Sequence, residues 1–116
     1  MYKEEVLEHF KNPKNMGELK KASFKVKEKN SLCGDNIEIA LDIRSGKIFD
    51  IKFVGSGCAL VTASASLLTE YLKGKNLEDL KKVEDKFVIN LLGGEITPAR
   101  ISCALLPLKA LKKIKE

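Results

Sequence analysis

Apolar positions follow helical spacing at the start of the chain, alternate in its middle, and return to helical spacing afterwards. Residues 3 to 11 carry Val6, Leu7 and Phe10 on one helix face, and Asn12-Pro13 ends that helix because the residue before proline is pushed out of the α region. Asn15-Met16-Gly17 turns the chain. From Phe24 the period becomes two: Phe24 and Val26 alternate with Lys25 and Lys27, then Ile37, Ile39, Leu41 and Ile43 with Glu38 and Asp42. A third run sets Phe49, Ile51 and Phe53 against Asp50 and Lys52, and Ser45-Gly46 makes its link to the second strand short enough for a hairpin. Three antiparallel strands that are apolar on one face need helices to cover that face.

The cover follows in sequence. Cys58 to Lys73 places Val61, Ser64, Leu68 and Leu72 at helical spacing and stops at Gly74. A short helix is predicted from Leu77 to Lys82, and Asp85 to Leu92 is ambiguous. A last helix near 98 to 115 carries Ile101, Leu105, Leu108 and Leu111, with Pro107 inside it as a kink or as the cap of a shorter helix. Strands first and helices afterwards describe an α+β layered domain with a three-stranded antiparallel sheet and helices packed on one face. With 116 residues and 44% hydrophobic content, one domain over 1–116 is the expectation.

Composition narrows the function. The N-terminal residues mix charge with apolar side chains and lack the apolar core of a signal peptide, and no run reaches the roughly 20 apolar residues of a membrane span. A cytoplasmic, reducing location is expected, where three cysteines are thiols available for chemistry and not a disulfide framework. The net charge of +5 raises a nucleic-acid partner, but the basic residues are interleaved with Glu and Asp and are nearly all lysine. Only Arg44 and Arg100 could make bidentate base contacts, and no Trp is present for stacking. A solvated Lys/Glu surface, able to steer an acidic protein partner, is the better reading.

The cysteines carry the candidate chemistry. Cys33 and Asp35 flank Gly34 between two predicted strands, where glycine's freedom in φ lets a thiolate and a carboxylate turn toward one centre. Cys58 follows Gly55-Ser56-Gly57 at a predicted helix start, where unpaired N–H groups favour a thiolate. Cys103 falls in the first or second turn of the last helix, three residues after Arg100, whose charge acts in the same direction. Any one of them reads as a small buried hydrophobe. All three at element boundaries beside Gly, Asp or Arg point instead to a thiolate and carboxylate site suited to zinc or an iron-sulfur cluster, not to magnesium or calcium. Their separations of 25 and 45 residues match no zinc-finger or ferredoxin spacing.

Taken with the segment His9-Phe10-Lys11-Asn12-Pro13-Lys14-Asn15-Met16-Gly17, these motifs resemble the IscU/NifU-N family of iron-sulfur cluster assembly scaffolds over essentially the whole chain. Cys33-Gly34-Asp35 is similar to the family's C-G-D motif, Gly57-Cys58-Ala59 with Ala63-Ser64-Ala65-Ser66 to its G-C helix rich in small residues, and Arg100-Ile101-Ser102-Cys103 to its third-cysteine motif. The resemblance implies an IscU/SufE-like fold and a carrier, not an enzyme. Such a carrier takes sulfur from a cysteine desulfurase, assembles a [2Fe-2S] cluster on iron, and passes it to acceptor proteins. It further implies that Cys33, Asp35, Cys58 and Cys103 are the ligands, that the persulfide forms on Cys103 with Cys33 as the rival, and that a homo-oligomer can form when the cluster is loaded. One harder oxygen ligand, Asp35, suits a site that must release its cargo.

Two departures favour the zinc-dependent SufU branch, in which an aspartate and three cysteines hold zinc and the protein acts as a sulfurtransferase. Ser102 stands where the scaffold family has a histidine, and Ile96-Thr97-Pro98-Ala99-Arg100 replaces the L-P-P-V-K segment read by a dedicated chaperone. Against that branch, SufU proteins carry an insertion between the second and third cysteines for which 45 residues leave no room. His9, the only histidine, is assigned a packing or docking role. A metal-free basic binding module ranks third.

Overall fold

A computed structural model describes residues 4–30, 34–94 and 96–114. The elements run α1 (Glu4–Lys11), β1 (Phe24–Asn30), β2 (Asp35–Arg44), β3 (Lys47–Ser56), α2 (Ala59–Leu72), α3 (Leu77–Lys82), α4 (Asp85–Leu91) and α5 (Pro98–Leu111). The strands form one antiparallel sheet in the order β1-β2-β3. Its inner face presents Ile37, Ile39, Leu41, Ile51 and Phe53, all buried, to α2 and α5. Lys25 and Lys27 stand on the outer face, where both pair with Glu38.

The third strand departs from simple alternation. Asp42 lies opposite Asp50 but Ile43 lies opposite Ile48, so Phe49 is an extra residue on β3 and the ladder shifts there. Beyond the bulge the inward set passes to Ile48, which is fully buried, while Phe49 is 55% exposed. The expected burial of Phe49 is thus corrected: its ring lies outside the core, with the Arg44 guanidinium 3.7 Å from its centroid.

The region left ambiguous is helical, as α4, and packs on α5 and α2. Helix α5 continues through Pro107 and ends at Leu111, short of the expected 115, with Ile114 still buried beyond it. Among the described residues no helix is long and apolar enough to cross a membrane.

The segment after α1 acts as a strap. The Ser66 Oγ on α2 takes the Lys14 N–H at 2.7 Å and meets His9 Nδ1 at 2.6 Å. The Asn15 amide donates to Thr69 Oγ1 and Glu70 Oε2, and its carbonyl accepts the Phe53 N–H at 2.9 Å. Gly17 returns a hydrogen bond to the Phe53 carbonyl, so this stretch covers part of the open edge of β3. Asn15 has φ 63° and Gly17 φ 138°, which are conformations that Asn and Gly tolerate best.

Candidate metal centre

Asp35 begins β2 on the sheet's inner face, opposite Asn30, and is 4% exposed. The preceding Gly34 has φ 75°, a region open to glycine, and its N–H closes onto the Asn30 carbonyl at 2.8 Å. The chain next reaches the site through Gly57. A Cβ there would stand 2.6 Å from Asp35 Oδ1 and 2.9 Å from its Cγ, so only glycine lets this loop pass over the carboxylate. Cys58 then caps α2 and is half-buried, and its N–H donates to Asp35 Oδ1 at 3.1 Å. Cys103, in the second turn of α5, is 3% exposed.

These three segments, distant in sequence, bring an Asp35 carboxylate oxygen, Cys58 Sγ and Cys103 Sγ within 4.8 Å of one another. Zinc-thiolate bonds of about 2.3 Å place donors in a tetrahedral shell roughly 3.8 Å apart, so the observed grouping needs to close by about an ångström at most. The Asp35 Oδ2 atom is buried and has no hydrogen-bond partner among the described residues. Such an acceptor costs about 1–3 kcal/mol, more when charged, and a bound cation would relieve that cost. Two soft thiolates with one carboxylate fit zinc or iron and fit no hard alkaline-earth ion. Cys33 lies outside the described residues.

The other predicted participants separate. His9 is not a member of the cluster and spends its Nδ1 on Ser66, in the packing role assigned to it. Arg100 is exposed and, among the described residues, has no hydrogen bond or ion pair to Cys103. A donor to Cys103 Sγ is instead the Asn30 amide, Nδ2 to sulfur 3.8 Å, and the same nitrogen reaches Ser102 Oγ at 3.0 Å. Asn30 escaped the sequence reading. Its signal was available: a polar residue at the end of an alternating strand, three positions before Cys33, on the face where an apolar residue is expected.

The NifU-like N terminal domain family matches residues 1–115. The chain is 35% identical over 113 residues to the iron-sulfur cluster assembly scaffold protein IscU 1 of Archaeoglobus fulgidus, covering 97% of this chain and 73% of that protein. It is 34% identical over 130 residues to the zinc-dependent sulfurtransferase SufU of Bacillus subtilis, covering 97% and 88% respectively. Among solved structures, a candidate iron-sulfur cluster assembly scaffold protein for the SUF system from Fervidobacterium islandicum superposes with a TM-score of 0.82 at 28% identity, over 97% of this chain and 94% of that one. The N-terminal part of a NifU-like protein from Brucella abortus shares the fold, with a TM-score of 0.79 at 22% identity over 96% and 89%.

Proposed function

The chain belongs to the NifU-like N-terminal domain family, and from that membership and its buried donor cluster we propose that it is an iron-sulfur cluster assembly scaffold, working as one domain over 1–116. Cys33, Asp35, Cys58 and Cys103 hold the growing [2Fe-2S] cluster, which is cargo and not a resident cofactor. A cysteine desulfurase supplies the sulfur: the Cys103 thiolate attacks the outer sulfur of the desulfurase persulfide, the sulfur-sulfur bond there breaks, and the desulfurase keeps its cysteine as a thiolate. Cys33 is the rival acceptor. At 3% exposure, Cys103 requires the start of α5 to give way before a partner reaches it. Iron-sulfur proteins in a reducing, cytoplasmic compartment receive the finished cluster.

The observation that carries this reading is Asp35, a buried carboxylate with one oxygen that has no donor among the described residues, set beside two cysteines from other elements. A harder oxygen among thiolates loosens the grip on iron, which a carrier needs and a permanent iron-sulfur protein does not.

A second reading, a zinc-bound sulfurtransferase at the same residues, is supported by the similarity to SufU and by a donor set that suits zinc. Alignment lengths favour the scaffold. The alignment with SufU spans 130 positions, longer than the 116-residue chain, so SufU carries insertions that this chain lacks. The archaeal IscU aligns over 113 positions with 97% of the chain and needs essentially none.

The test is anaerobic reconstitution with ferrous iron, cysteine and a cysteine desulfurase, on the wild type and on single Cys33→Ser, Cys58→Ser and Cys103→Ser variants. A visible cluster spectrum that requires all three cysteines is expected. One tightly held zinc, no cluster and a faster desulfurase would make the chain a sulfurtransferase instead.

A further inference from the structure

Asn30 is 7% exposed, and a carboxamide so placed needs partners for its polar atoms. Its Nδ2 carries two hydrogens, and two acceptors stand within reach, Ser102 Oγ at 3.0 Å and Cys103 Sγ at 3.8 Å, the second a length that the larger sulfur atom allows. Asn30 ends β1, and both acceptors lie on α5. The strand register puts Asn30 directly opposite Asp35. One side chain therefore joins the sheet end that carries the carboxylate to the helix turn that carries the thiol.

We infer that Asn30 is a positioning residue for the metal centre: its amide donates to the Cys103 sulfur, and Ser102 is the anchor that aims the amide and not a ligand. This rests on Cys103 being a ligand. A hydrogen bond to a ligating thiolate draws electron density from sulfur and fixes the direction of its lone pairs. Loss of such a partner typically lowers metal affinity about 10–100-fold. The arrangement also accounts for the serine before the third cysteine, because its hydroxyl is engaged on the side of Asn30.

The experiment uses cobalt(II) as the probe, whose thiolate-to-metal charge-transfer band reports the electron richness of sulfur. In Asn30→Ala and Asn30→Asp the affinity should fall at least tenfold and the band should move to lower energy. Ser102→Ala should change affinity by less, roughly twofold to tenfold, because the sulfur keeps a donor that is less well aimed. A purely structural Asn30 would lower stability without moving the band. Wild-type band position and affinity in both Asn30 variants overturn the inference and leave the scaffold reading standing. Absence of any thiolate band in wild-type protein would instead defeat the metal-centre reading and the inference with it.

A metal-free measurement keeps the hydrogen bond itself falsifiable if the Asn30 variants fold poorly. In the nuclear magnetic resonance spectrum of metal-free protein, Cys103→Ala should shift one Asn30 side-chain amide proton upfield and leave the other nearly in place, and Ser102→Ala should do the converse. Equal or no displacement of the two protons refutes the assignment.

Discussion

Replacing Gly57 by alanine adds a single methyl group, and the structure states where it goes. The new Cβ would lie 2.6 Å from Asp35 Oδ1, 2.9 Å from Cγ and 3.0 Å from Cβ. Gly57 does not have the positive φ that makes Gly34 or Gly74 intolerant of a side chain, so the contact alone carries the effect. Asp35 is held by strand pairing to Asn30, so its carboxylate must rotate while its backbone stays. That rotation breaks the hydrogen bond from the Cys58 N–H, which at 3.1 Å ties the start of α2 to the sheet. A hydrogen bond to a charged group contributes about 1.5–3 kcal/mol, and an off-rotamer carboxylate costs about 0.5–1.5 kcal/mol. The expected loss is therefore roughly 2–4 kcal/mol in metal-free protein, reduced by whatever the Asp35 oxygen that has no partner among the described residues gains on reaching water. Urea unfolding measures it, with an unchanged slope as the sign that only the native state has moved. Metal affinity should fall about 10–100-fold through the displaced carboxylate, as read by cobalt(II) titration against a chelator. Gly94→Ala serves as the control: it is strained by φ 82° but has nothing within 4 Å, so it should lose stability and keep the affinity. A Gly57→Ala protein that matches wild type in both measurements would refute the argument that this glycine is there to admit Asp35.

Asp35→Ala should lengthen the lifetime of a reconstituted cluster, because a looser oxygen ligand is exchanged for a better one recruited nearby; faster bleaching under the same chelator challenge would contradict this. Ser66→Ala should cost about 1–3 kcal/mol, since it removes two hydrogen bonds of about 0.5–1.5 kcal/mol each, from the Lys14 N–H and to the His9 ring, and amide exchange should speed up across α1 more than across α5. Glu28 has its carboxyl held below the usual 4.5, first by the Lys29 N–H and then by the Lys113 ammonium at 3.2 Å. Its folded value lies below its unfolded one, so its contribution is present above about pH 4.5 and is lost as pH falls through the lower folded value. Glu28→Gln should therefore lower stability at neutral pH by about 1 kcal/mol or less and flatten the acid limb, as followed by denaturation midpoints from pH 7 to 3. An unchanged acid limb would mean that the pair is not formed in solution.

The layered α+β architecture was legible from period alone, because a strand face and a helix face are each set by residues only a few positions apart. Asp35, Cys58 and Cys103 were legible as candidates, since each sits at an element boundary beside Gly, Asp or Arg, and the structure brings the three together. Phe49 was not. Its burial depended on whether β2 and β3 pair residue for residue, and the bulge that shifts their register at Asp42/Ile43 is a property of two strands together. Asn30 and Arg100 exchanged roles for a related reason. Arg100 is near Cys103 along the chain, but it stands in the exposed first turn of α5, whereas Cys103 one turn later is buried. Asn30 is 73 positions away from Cys103 and meets it because β1 and α5 pack against each other.

The order of residues by itself determined the strands and every helix but α4, where the chain can turn, and which side chains are chemically able to hold a soft metal. Those outcomes follow from local sterics and side-chain chemistry. Only the tertiary structure decided that Asp35 keeps a buried oxygen with no donor among the described residues, that Gly57 must be small, and that an asparagine and not an arginine faces the Cys103 sulfur. Each of these is a distance between atoms on different elements, and no local rule sets it.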